Sequence, residues 1–190
     1  METNAIKVKI WDQSVGYLAW DKKTNVAVFE YETDFLDAGL DIAPLTMSIY
    51  TPRSKNRIPW IGDRDKLYMG LHSVFADSLP DKWGHSLFNA WLRSNRISTR
   101  NVTPIDHLSF IGSRGIGALV YEPAHKLGKE TSFSVDVAKL YDFAKQVLSE
   151  RETTRLNAEN SILWQDLIKI SSSPGGKRPK AIVALNHSTG

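Results

Sequence analysis

Apolar and polar residues alternate from the start of the chain. Ile6, Val8 and Ile10 take turns with Lys7 and Lys9, a period of two that predicts a strand with one buried face. Val15 to Trp20 is apolar around Gly16, and Val26 to Tyr31 is β-branched and aromatic, so two more strands are expected. The polar run Asp21-Lys22-Lys23-Thr24-Asn25 between them reads as a turn, which makes the first thirty residues an antiparallel meander. Residues 32–60 are broken up by Gly39, Pro44, Pro52 and Pro59 and predict short helix, strand and loop.

The period then changes to that of a helix. Ser78-Leu79-Pro80-Asp81 offers Ser78 as a cap, a proline near the first turn and an acid three residues after the cap. Trp83, Leu87 and Trp91 follow at helical spacing, widened by Phe88 and Leu92. Gly84 inside this helix costs roughly 1 kcal/mol against alanine, which implies close packing there. Thr103-Pro104-Ile105-Asp106 is a second start, with Thr103 as cap, Pro104 at the first helical position and Asp106 at the third. Gly112, Gly115 and Gly117 end it before the strand-like Ala118-Leu119-Val120-Tyr121. Glu122 to Thr131 reads as a linker. A helix capped by Ser134, with Val137, Leu140, Tyr141, Ala144, Val147 and Leu148, and another with Leu163, Trp164, Leu167 and Ile168 are expected beyond it. The pattern is of α+β type, with a sheet-rich part over 1–123 and a helical pair with a Gly-rich loop over 124–190.

Composition narrows the class. Hydrophobic content of 42% and charged content of 24% are those of a soluble globular protein. The chain has no cysteine, which removes disulfide and zinc-thiolate chemistry. No apolar run reaches membrane-spanning length, and Met1-Glu2-Thr3-Asn4 lacks the regions of a secretory signal, so a cytoplasmic protein without a membrane partner is expected. The net charge of +3 is uneven. Residues 1–50 hold 4 basic and 8 acidic side chains (−4), 51–126 hold 11 and 6 (+5), and 127–190 hold 9 and 7 (+2). Arg53, Lys55, Arg57, Arg93, Arg96 and Arg100 in the middle segment could face a phosphate backbone, although a solvated face is the plainer reading.

Candidate chemistry is concentrated near residue 175. Ser171-Ser172-Ser173-Pro174-Gly175-Gly176-Lys177-Arg178-Pro179-Lys180 joins adjacent glycines to three cations within five positions, and no acidic residue follows Ser171. Exposed backbone N–H groups beside fixed positive charge suit a cradled phosphate. The spacing is neither that of a Walker A loop nor that of the Gly-x-Gly-x-x-Gly kinase loop. The other residues needed for phosphoryl transfer do not appear: no His-x-Asp occurs, and Asp34-Phe35 and Asp142-Phe143 are not followed by glycine. His72, His85, His107, His125 and His187 lack metal-ligand spacing and read as structural. Trp83, Trp91 and Trp164 sit on apolar helical faces and read as buried rather than as stacking platforms.

Four segments in order carry a resemblance. Val15-Gly16-Tyr17-Leu18, then Asp77-Ser78-Leu79-Pro80-Asp81-Lys82-Trp83-Gly84, then Asp106-His107-Leu108-Ser109-Phe110-Ile111-Gly112 ahead of Gly117-Ala118-Leu119, and finally Ser173 to Ala181, together resemble the N-terminal part of HipA-type serine/threonine protein kinases. These are the toxins of bacterial toxin–antitoxin pairs. The resemblance covers essentially the whole chain. It implies an α/β kinase-like protein whose residues 1–123 form the sheet-rich N-terminal subdomain. Residues 124–190 would begin the nucleotide-binding lobe.

By the same resemblance Gly175, Gly176, Lys177, Arg178 and Lys180 would lie over the phosphates of ATP, with Mg2+ as the accompanying ion. Ser173, Ser171 and Ser172 are the candidate autophosphorylation positions, where a dianion would expel the loop. The catalytic Asp and the metal-binding residues would belong to a C-terminal lobe, so this chain by itself holds no catalytic or metal site and is expected to be inactive. Implied partners are a HipB-like helix-turn-helix antitoxin, through which DNA is met indirectly, and a protein substrate of the aminoacyl-tRNA synthetase kind. A reading from another class is a stand-alone, antitoxin-like or regulatory module that docks on a kinase or antitoxin partner.

Overall fold

The computed structural model describes residues 5–94, 97–115 and 117–124, with residues 142 and 145. Apart from residues 142 and 145, which are helical, the helices expected at 134–148 and 163–168 and the Gly-rich loop at 171–180 lie outside the described residues. Met1–Leu79 with Asn101–His125 form one compact unit, and Pro80–Arg100 belongs to a second.

The meander forms as the alternation predicts. Strands β1 (Ala5–Ile10), β2 (Gln13–Asp21) and β3 (Val26–Tyr31) pair antiparallel, with Lys7 opposite Tyr17 and Tyr17 opposite Glu30. The turn after β2 is tied by Asp21, whose carboxylate accepts from the Lys23 N–H at 2.9 Å and the Thr24 hydroxyl at 2.5 Å. Between Val8 and Lys9 the register shifts, so Val15 is an extra residue on β2. On the other side of β2 the pairing with β3 runs on through the bulge, the Glu32 N–H donating to the Val15 carbonyl at 3.0 Å. Gly16 sits beside the bulge, where a Cβ would stand 2.1 Å from the Glu30 carbonyl oxygen and 2.8 Å from the Phe29 ring.

Two short strands from far along the chain complete the sheet in the order β4-β3-β2-β1-β5. After α1 (Thr33–Ala38) and the single turn α2 (Pro52–Lys55), β4 (Trp60–Ile61) pairs with β3. After α3 (Ser73–Ala76), α4 (Lys82–Ser94) and α5 (Pro104–Ile111), β5 (Leu119–Glu122) pairs with β1, Lys7 opposite Glu122. Residues 32–60 are therefore helix and loop, and their strand forms only at the segment's end.

The core lies on one face of the sheet. Ile6, Val8, Leu18, Phe29, Tyr31 and Tyr121 pack there with Phe35, Met47, Leu71, Phe75, Ile105 and Leu108. Phe29 is central, with the Tyr31 and Phe75 rings each 4.8 Å away. Full burial of this many large side chains, at about 1.5–3 kcal/mol each, is the main stabilising term of the unit. Buried Tyr31 donates to the Met47 carbonyl at 2.8 Å, and burial with Asp41 nearby raises its phenol well above the ordinary value.

Each sheet edge carries a few backbone groups that already have partners. At the β4 edge Arg53 donates twice to the Pro59 carbonyl, at 3.1 and 2.7 Å, with its guanidinium 5.3 Å over the Trp60 ring. His72 meets Trp60 edge-on at 5.9 Å. At the β5 edge the Tyr121 N–H donates to the Gly112 carbonyl at 3.2 Å and the Ser109 hydroxyl to the Pro123 carbonyl at 2.6 Å. A backbone group that already has a partner is not open to pairing with another strand.

Helix α5 starts as expected, with Thr103 accepting from the Asp106 N–H and Asp106 answering at the Thr103 N–H, a closed capping box. The start of α4 differs. Its first turn is capped by Asp81, which accepts from the Gly84 N–H at 2.8 Å, and not by Ser78. The Ser78 hydroxyl is engaged by Tyr121, which donates to it at 2.7 Å. Gly84 is needed because a Cβ there would stand 2.6 Å from the Pro80 side chain.

Two outcomes follow. Gly16→Ala should destabilise the unit by about 3 kcal/mol, since the obstacle is backbone and not a flexible side-chain end. Urea unfolding with a loss under about 1 kcal/mol would contradict this packing. Burial holds the half-buried His72 below the ordinary imidazole value, with Asp63 opposing. A depressed folded value means stability is full above about pH 6.5 and falls as the pH drops below it, because the unfolded chain takes up the proton first. The fall in Tm between about pH 7.5 and about pH 5.5 should therefore be smaller in His72→Asn than in the parent chain, and equal falls would contradict the assignment.

Candidate functional site

The motif residues that carry the family resemblance are, where described, framework. Val15 and Gly16 form the bulge and the close crossing over Phe29. Ser78 ties the end of α3 to β5 through Tyr121, whose phenol is raised above its ordinary value by deep burial. Asp81 and Gly84 shape the first turn of α4. Asp106 closes its capping box, and Ser109 joins α5 to the chain after β5. Gly112, at φ 57°, turns the chain where a Cβ would meet the Ala124 methyl at 2.5 Å. Each residue answers a local steric or hydrogen-bonding demand, and none presents a nucleophile beside a base.

The candidate nucleotide residues Gly175, Gly176, Lys177, Arg178 and Lys180, and the candidate modification sites Ser171, Ser172 and Ser173, lie outside the described residues. So do His125, His187, Trp164 and Arg96. The described histidines are enclosed: His107 is buried in α5, and His72 and His85 are half-buried, each of these two held below the ordinary imidazole value mainly by burial. Among the described residues no group of three or more His, Cys, Asp or Glu converges to hold a metal ion. No described helix is long and apolar enough to cross a membrane.

Two basic side chains of the middle segment are bonded within the chain. Arg53 is committed to Pro59 and Trp60, and Arg57 donates to Glu30 at 2.5 Å. Lys55, Arg93 and Arg100 are exposed. Trp83 is buried as expected, while Trp91 is half-buried beside Phe88, their rings stacked at 6.1 Å.

What remains open is the solvent face of the sheet. Tyr17 stands at its centre, 49% exposed, with the Lys7 ammonium 5.3 Å over its ring. Around it run the ion pairs Lys7–Glu32 at 3.5 Å, Lys9–Glu122 at 3.3 Å and Arg57–Glu30. A second row, Ala5, Ala19, Val28 and Ile61, crosses four strands in register and is apolar. Trp11, 69% exposed, occupies the β1–β2 turn at φ 51°, a left-handed conformation uncommon for a bulky residue. These residues suit contact with another protein surface and not bond-making. Tyr17 could have been found from sequence as an aromatic at a polar position of the alternation; Trp11 carries no comparable signal.

Comparison with known proteins bears on the same residues. The family model of the HipA N-terminal domain matches residues 6–122, well over half of the chain. No curated protein and no solved structure matches it. The match begins in β1 and ends in β5, the two strands whose pairing closes the sheet. The chain belongs to the HipA N-terminal domain family, the domain found in HipA-like toxins of toxin–antitoxin systems.

Proposed function

We propose that this chain is the N-terminal part of a HipA-like serine/threonine protein kinase, with residues 1–123 as the N-terminal subdomain and 124–190 as the start of the nucleotide-binding lobe. The observation that carries the reading is the family match over 6–122, followed some fifty residues later by the cationic Gly-rich stretch at 175–180. In that reading the backbone of Gly175 and Gly176 binds ATP phosphates, with Lys177, Arg178 and Lys180 supplying positive charge. ATP with Mg2+ supplies the phosphoryl group. Ser173, Ser171 or Ser172 accepts it in autoregulation, and a protein such as an aminoacyl-tRNA synthetase accepts it in the toxic reaction. A HipB-like helix-turn-helix antitoxin is the regulatory partner, and it makes the contact with DNA.

A second reading rests on the unit formed by residues 5–79 and 101–124, which closes its own core and exposes an aromatic, ion-paired face. Such a unit can serve as a docking module in its own right, antitoxin-like or regulatory, on a kinase or antitoxin partner.

The test is phosphorylation by the protein that carries this chain together with a C-terminal lobe, assayed with Mg-ATP and read by phosphopeptide mapping. The kinase reading expects label on Ser171, Ser172 or Ser173 and its loss in the triple alanine variant. It also expects at least a tenfold fall in labelling for Gly176→Asp, which places a carboxylate against the phosphates. No ATP-dependent label on itself or on any added protein would contradict that reading and favour the docking module.

A further inference from the structure

The solvent face of the sheet carries a charge order that is its own complement. In register across the strands lie Glu122, Lys7, Tyr17 and Glu30, and Arg57 bonds to Glu30 on the far side. Read across, the row is negative, positive, aromatic, negative, positive. Stacking two such faces about a two-fold axis that runs parallel to the strands, between the sheets at Tyr17, reverses the order. Lys7 then faces Glu30, Glu122 faces Arg57, and Tyr17 faces Tyr17. The apolar row obeys the same operation, with Ala5 opposite Val28 and Ala19 opposite itself, so the small side chains leave room for the branched ones.

We infer that a second copy of this chain docks on this face, through Tyr17 and the row of Lys7, Glu30, Glu122 and Arg57, to form an isologous homodimer. An isologous contact needs a patch complementary to itself, and this row meets that condition at every position. The charged groups are accessible, with side-chain exposures of 34% for Lys7, 39% for Glu30, 48% for Glu122 and 56% for Arg57. Both Arg57 donors go to one oxygen of Glu30, Oε1, and a carboxylate has a second oxygen to offer Lys7 of the other copy. Aligned sheets packed face to face cross at about 30°, which keeps the central strands in register. The face is small, about 20 Å along the strands and about 19 Å across five of them. It sits at the low end of specific interfaces, so the dimer is expected at tens of micromolar.

Sedimentation equilibrium of the 190-residue chain from about 5 to about 200 µM should show a monomer–dimer equilibrium. Lys7→Glu and Glu30→Lys should each weaken it at least tenfold, because each places like charges opposite one another twice. Mixing the two variants should restore dimers. The carboxylate introduced at position 7 of one variant then faces the ammonium introduced at position 30 of the other, while the unaltered Glu30 and Lys7 meet as in the parent chain. Thermal melts of each variant check its fold, and Glu122→Lys with Arg57→Glu runs the same exchange where either first variant melts early. A chain that stays monomeric throughout the range overturns the proposal. So does a dimer unaffected by Tyr17→Ala and both reversals, or a mixture that recovers nothing.

Discussion

The unit built from residues 5–79 and 101–124 depends on the pairing of β1 with β5. A three-stranded meander has two open edges and a single packed face, and by itself it is marginal in water. β5 closes one edge, and it does so from more than a hundred residues away, Lys7 lying opposite Glu122. Once it is placed, Tyr121 enters the core, its hydroxyl reaches Ser78, and its N–H reaches Gly112 at the end of α5. One short ladder thereby connects the first strand, the end of α3 and the last helix of the unit. The ordering cost of that long loop grows only slowly with its length, whereas the core it completes is large.

This connection gives the family motifs a physical meaning. Asp77 to Gly84 and Asp106 to Gly112 lie far from the Gly-rich stretch in sequence and contain acids, histidine and serines that could be read as chemistry. In the fold they are caps, close approaches and cross-links: Asp81 on Gly84, Asp106 on Thr103, Ser109 on Pro123, Gly112 against Ala124. The exposed surface of the unit carries Tyr17 and the surrounding ion pairs.

Local patterns were readable in the sequence and distant ones were not. The alternation of Ile6, Val8 and Ile10 placed β1 and its buried face, and Thr103-Pro104-Ile105-Asp106 placed the α5 capping box, because each is decided within a few residues. Two-residue β4 has no period to detect; it forms because Trp60 and Pro59 find Arg53, Ser54 and His72 around them. The cap of α4 is Asp81 because the helix begins at Lys82, too late for Ser78, whose hydroxyl meets Tyr121, a partner 43 positions away. The strand at 119–122 was visible as a strand, but its neighbour was not, since nothing local names the edge it joins. The candidate nucleotide loop at 175–180 was legible only as composition, glycines beside cations, which fixes a chemistry without fixing a partner.

The claim that the β1–β5 ladder makes this region one cooperative unit is tested most directly by native-state hydrogen exchange of the 190-residue chain under increasing urea. The account predicts that amides of β1, β3 and β5 converge on one opening free energy, to within about 1 kcal/mol. Amides of β5 that exchange by local fraying, independent of urea, while β1 and β3 stay protected, would contradict it and reduce β5 to an appended strand.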